Sequence, residues 1–142
     1  MSRTITFIRH AETTANLETR WQGRLDTELS PNGLDQVERL RARQNGAVSG
    51  RLISSDLGRA MQTAGAIGEP EPDPAWREFD IGGWEGLTTA EVQQRFPGQF
   101  EAMLAGEDVS LGGGERLSRF RERIVEAFWA LAGSMDEGER AI

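Results

Sequence analysis

The stretch TITFIRHAETTAN (residues 4–16) decides the fold class of this chain. Thr4 to Ile8 alternate hydroxyl-bearing and apolar side chains and are rich in β-branched types, so they predict a strand. The strand stops at Arg9 and His10, and His10 is the only histidine in 142 residues. In an open α/β sheet ligands bind beyond the carboxyl ends of the strands, which is where both side chains would lie.

The segments that follow alternate helical and extended patterns. ETRWQGRLDTEL (18–29) has no sustained period and reads as a long loop. SPNGLDQVERLRAR (30–43) predicts a helix, with Ser30 as cap, Pro31 in the first turn and Leu34, Val37 and Leu40 on one face. RLISS (51–55) predicts a second strand, and DLGRAMQTAGAI (56–67) a helix with Leu57, Met61 and Ala64 together. GEPEPDPAW (68–76), with three of the five prolines, reads as an extended surface connection. DIGGWEG (80–86) reads as a Gly-rich loop.

Thr88 and Glu91 have capping-box spacing, Pro97 marks a break, and QFEAMLAG (99–106) continues as a short helix. ERLSRFRERIVEAFWALAG (115–133) carries the clearest amphipathic stripe: Leu117, Phe120, Ile124, Phe128 and Leu131. In GERAI (138–142), Ala141 and Ile142 could open another strand. Strands alternating with helices predict a single α/β domain over residues 1–142. Its expected form is a three-layer α/β/α sandwich around a mostly parallel sheet. Two convincing strands are too few for such a sheet, so the sheet is expected to be incomplete in this chain.

Composition narrows the function. A net charge of −7 disfavours nucleic acid and anionic membranes as bulk partners. With no cysteine there is no thiol nucleophile, disulfide or thiolate metal site. No apolar run is long enough to span a bilayer, and MSRTITFIRH lacks the features of a secretory signal, so a cytoplasmic location is expected. Oligomeric state is open, a homo-oligomer included.

The chemistry concentrates at two predicted strand ends. Arg9 and His10 follow the first strand; Ser54, Ser55 and Asp56 follow the second, with Arg59 one helical turn on. Both sets should meet at one sheet edge. Arginine offers a fork of donors matched to phosphate oxygens, and neutral imidazole is a nucleophile. A lone strand-end histidine is usually structural; the two arginines favour an anion pocket here.

These residues resemble the histidine phosphatases, the superfamily that includes the cofactor-dependent phosphoglycerate mutases. RHAETTAN is similar to the Arg-His-Gly-x-Thr-x-x-Asn signature of that family. WQGRLDTELSPNG, SSDLGRAMQTA, REFDIGGWEG and GGGERLSRFRERI resemble further family segments, in family order, from residue 5 to about 125. The resemblance implies that His10 attacks phosphorus and becomes phosphohistidine, while Arg9 and Arg59 grip the phosphoryl oxygens. Asn16 would add a hydrogen bond, and Glu78 would be the general acid and then the general base. Gln22 and Gly23 would lie near the phosphate or the substrate, a small phosphate ester, with no metal and no cofactor. Trp21 and Trp84 flank these segments and belong either at the substrate entrance or in the core; Trp76 and Trp129 read as structural. LGGGE (111–115) reads as a hinge or helix entry whose amides could bind an anion.

Two departures stand out. The family's glycine after the histidine is Ala11 here. The family's second pocket histidine, borne after a late strand, has no counterpart, so the intact protein is expected to be longer by several tens of residues. The short interval 87–112 favours a phosphatase over a mutase, whose family members carry a longer insertion there. A catalytically weak binding module for phosphorylated ligands or a protein partner is the alternative from another class.

Overall fold

In a computed structural model, residues 2–44 and 49–142 are described. The elements run β1 (Thr4–Ile5), α1 (Thr14–Leu17), α2 (Pro31–Gln44), β2 (Ile53–Ser54) and α3 (Gly58–Ala64). They continue with β3 (Glu71–Pro72), α4 (Thr89–Arg95), α5 (Gln99–Leu104), α6 (Leu117–Ser134) and β4 (Arg140–Ala141). Short 3₁₀ turns occupy Pro74–Trp76, Gly82–Trp84 and Leu111–Gly113.

The strands are short and parallel. β1 pairs with β4 in the register Thr4–Arg140 and Ile5–Ala141, and β2 pairs with β3. Arg51 bridges Ala141, and Ile53 N donates to Ile142 O at 2.9 Å, so β4 lies between β1 and β2. The spatial order is therefore β1–β4–β2–β3. The C-terminal residues, the weakest of the sequence-read strands, hold the middle of the sheet. The proline-rich connection also contains an unforeseen strand. Pro72 has no N–H to give a ladder, and β3 pairs on one side only, with β2, where that loss is tolerated.

Helix α6 covers one sheet face: Leu131 and Met135 pack with Ala141, Ile5 and Ile53. A second cluster joins Ala11 and Leu29 to Val37 of α2 and to Ala66. The third cluster is built from the turns around Ile81, Trp84, Leu87, Val92 and Leu111. There Gly82 and Gly112, both at positive φ, let two turns touch: a Cβ on Gly82 would sit 2.4 Å from Gly112 O. Gly112 and Gly114 of LGGGE thus serve backbone packing, and Gly112 N donates to Gln99 Oε1 at 2.9 Å.

Ser30 caps α2, its Oγ accepting from Gly33 N at 3.0 Å. Leu34, expected on the buried stripe, is 47% exposed, whereas Val37 is 5% exposed. The buried face runs through Gly33 and Val37, because Gly33, not Leu34, meets the neighbouring backbone at Glu12 O. On α3 the fully buried positions are Arg59 and Thr63, not the expected apolar trio. Trp84 belongs to the core, and Trp129, read as structural, is 65% exposed. Among the described residues no strand pairs with the outer edge of β1, and Phe7 and Ile8 beside it are exposed.

Candidate active site

The site grows from the ends of β1 and β2. Arg9, His10, Arg59 and Glu78 line one cavity of about 310 Å³, together with Ser54, Ser55, Arg77 and apolar residues from both strands. His10 is oriented by its own backbone: the Nδ1–H donates to Ala11 O at 2.7 Å. A carbonyl only accepts, so the proton sits on Nδ1 and Nε2 presents a lone pair. Burial, followed by the fields of Arg59 and Arg9, holds the imidazole pKa below its usual value, against the pull of the Ala11 carbonyl and of Glu78. The shift favours the neutral ring.

Ala11 stands where the resemblance expects glycine. It does not adopt a positive φ, its amide donates to Thr63 Oγ1 at 2.9 Å, and its methyl packs with Leu29, Val37 and Ala66. The backbone here asks for no glycine.

Arg59 is 3% exposed. Its Nη2 donates to Gly23 O at 2.7 Å and its Nη1 to Leu25 O at 3.0 Å. Burial lowers its pKa, opposed by Glu78, Asp26 and Glu85. Two of the five guanidinium protons thus pin the 22–25 loop, and Arg59 also lines the His10 cavity. Asp26 ties the start of α3, accepting from Gly58 N at 2.6 Å. Thr63, one turn beyond Arg59, donates to Arg59 O at 2.7 Å and links the helix to Ala11. Sequence reading missed Thr63, although its i+4 spacing from Arg59 was a signal.

The remaining expected residues divide. Asn16 Oδ1 accepts from Thr13 N at 3.0 Å within a capping box, leaving its amide protons to donate. Gln22 is buried and used internally: Oε1 accepts from Thr13 Oγ1 and Nε2 donates to Thr27 Oγ1. Gly23 supplies a carbonyl to Arg59, and a Cβ there would sit 2.5 Å from Ile81 Cγ1. Trp21 is outside the His10 cavity. Its ring meets Trp84 edge-on at 5.3 Å, and its Nε1 donates to Thr89 Oγ1. Beside the pocket, Arg77 makes a two-point ion pair with Asp56, holding that carboxyl below the usual range.

A parallel sheet with an imidazole and arginines gathered at its carboxyl edge defines an α/β protein with an arginine-lined pocket at that edge. The chain belongs to the histidine phosphatase superfamily (branch 1), whose family model matches residues 5–142. It is 33% identical over 147 residues to phosphoglycerate mutase-like protein 4 of Arabidopsis thaliana, covering 97% of this chain and 64% of that protein. It is 38% identical over 115 residues to glucosyl-3-phosphoglycerate phosphatase of Mycolicibacterium vanbaalenii, covering 75% and 48% respectively. The solved structure of Bacillus stearothermophilus YhfR superposes with a TM-score of 0.83 at 30% identity, covering 99% of this chain and 72% of that one. The chain thus spans between about half and just under two thirds of the length of these two curated relatives.

Proposed function

We propose that this protein is a phosphomonoester hydrolase working through a phosphohistidine at position 10. The observation that carries the reading is the shared cavity of Arg9, His10, Arg59 and Glu78, with Nε2 of the imidazole left unprotonated. In the first step Nε2 attacks phosphorus and the bond to the ester oxygen breaks. Glu78 protonates the departing oxygen. Arg9 and Arg59 hold the charge spread over the phosphoryl oxygens. In the second step Glu78 takes a proton from water, the water oxygen bonds to phosphorus, and the P–N bond breaks to release inorganic phosphate. Asn16 donates to the phosphoryl group, while Gln22, Gly23 and Trp21 act by holding the loop that carries them.

Similarity to a protein named as a phosphatase supports hydrolysis, and similarity to a mutase-like one keeps phosphoryl transfer as the second reading. The substrate is a small phosphate ester, and the reading includes a cytoplasmic location. Among the described residues no helix is long and apolar enough to cross a membrane. The chain spans part of the length of its relatives, and among the described residues Phe7 and Ile8 beside the outer edge of β1 are exposed.

The test uses the full-length protein with a panel of phosphate esters. Release of inorganic phosphate, with an acid-labile phosphoryl label absent in His10→Ala, is the expected result. An isomeric ester in place of phosphate supports the mutase. Binding with no turnover, or a labelled His10→Ala protein, overturns the reading.

A further inference from the structure

Glu78 is exposed, and its Oε1 accepts from the adjacent Phe79 N at 2.8 Å. Among the described residues its carboxyl has no hydrogen-bond anchor outside its own segment, so its place is set by the backbone. That backbone is irregular. It lies between the 3₁₀ turns Pro74–Trp76 and Gly82–Trp84 and belongs to no ladder.

The carbonyls of this segment are gathered by one side chain of α6. Arg123 Nη1 donates to Ala75 O at 2.8 Å and to Arg77 O at 2.9 Å, and its Nη2 reaches Glu78 O at 3.4 Å. The guanidinium is itself aimed by Glu115, whose Oε1 accepts from Arg123 Nη2 at 2.7 Å. Glu115 also closes a reciprocal latch with the same segment: its N donates to Asp80 O at 3.0 Å, and its Oε1 accepts from Asp80 N at 3.0 Å. From the 22–25 loop Arg24 completes the cluster, its Nε donating to Glu78 O at 3.3 Å and its Nη2 to Glu115 Oε1 at 3.4 Å. Below it Phe79 stacks on Phe120 at 5.1 Å, and Arg123 lies over the Phe120 ring at 5.3 Å. Both charged side chains are largely buried, at 17% and 23% exposure, so the hydrogen bonds are only weakly contested by water.

We propose that Glu115 and Arg123 are positioning residues that aim the Glu78 carboxyl at the leaving-group oxygen. The assignment rests on the reading of Glu78 as the proton donor. Proton transfer needs hydrogen-bond reach, and a misplacement of about 1 Å costs about 10²-fold. A clamp on four carbonyls and one amide of this stretch fixes the Glu78 Cα without touching the carboxyl.

The experiment compares leaving groups in the full-length protein. 4-Nitrophenyl phosphate releases a phenolate stable enough to depart unprotonated; phenyl phosphate shares the aryl ring, lacks the nitro group and has a more basic leaving oxygen. The kcat/KM values report the steps through leaving-group departure. In Glu115→Gln and Arg123→Met, kcat/KM for phenyl phosphate should fall about 10–100-fold, with a fall of less than about threefold for 4-nitrophenyl phosphate. Arg123→Lys, which keeps one donor head, should recover part of the loss. An equal fall on both substrates, or none on either, in both variants overturns the positioning role and leaves a plain structural clamp. Glu78→Gln is run in parallel. If it lacks the same leaving-group selectivity, the proton-donor reading fails, and the clamp's purpose with it. If it has the selectivity and the clamp variants do not, only the positioning assignment fails.

Discussion

Replacing Arg59 with methionine separates two tasks that the structure loads onto one side chain. Methionine matches the length of the arginine stem and removes the guanidinium. Two carbonyls, Gly23 O and Leu25 O, then lose charged donors at 2.7 and 3.0 Å. Hydrogen bonds to a charged group contribute about 1.5–3 kcal/mol each, so the gross loss is about 3–6 kcal/mol. Relief from burying a cation offsets part of this, and a net destabilisation of about 2–4 kcal/mol remains. At about 3–4 °C per kcal/mol for a domain of this size, Tm should fall by about 6–16 °C. The phosphoryl group loses a charged clamp at the same time, and kcat/KM should fall about 10³–10⁵-fold, as for other arginines that stabilise phosphoryl transfer. Calorimetry and steady-state phosphate release on the full-length protein measure the two effects separately. Lysine at 59 keeps the charge but loses the fork, and should lie between wild type and methionine on both scales. A methionine variant that melts within about 2 °C of wild type and retains activity within threefold refutes the reasoning. A loss of stability alone would leave Arg59 as a loop anchor only.

Three further outcomes follow from particular contacts. His10 has its pKa lowered by burial, Arg59 and Arg9, so its NMR titration midpoint should fall below 6.5, with the acid limb of kcat/KM tracking it. Its stability contribution is complete above 6.5 and is lost as pH falls through the folded-state value; a midpoint above 7 contradicts the geometry. Gly33→Ala places a methyl 2.0 Å from Glu12 O, backbone against backbone, and should cost about 2–4 kcal/mol in a denaturant titration while shifting the His10 loop. Trp84→Ala removes a side chain with no exposed surface and a hydrogen bond to Gln99 at 3.0 Å, and should cost about 3–5 kcal/mol by the same measurement; a cost below 1 kcal/mol would mean the turns around Ile81 and Leu111 do not form a core.

Local patterns in the chain already encode most of the elements. The capping box at Thr88 and Glu91, the serine cap of α2 and the stripe of α6 depend on neighbours within a few residues, and each forms where its spacing says. The convergence of Arg9, His10 and Arg59 was legible for a related reason: parallel strands bring their carboxyl ends to one edge, so residues just past two strands must approach each other. The fate of Trp21 was not legible, because either side of a tryptophan can be buried and only its partners decide which.

What the sequence determined by itself was therefore the periodic segments, the acidic cysteine-free composition and the cluster of charged groups at two strand ends. Only the tertiary structure decided that β4 lies between β1 and β2, that a proline-rich connection can supply an edge strand, and that Glu115 and Arg123 grip the backbone around Glu78. Those decisions rest on pairings between residues tens of positions apart. Such contacts follow from which surfaces close on one another after collapse, and no window of neighbouring residues contains them.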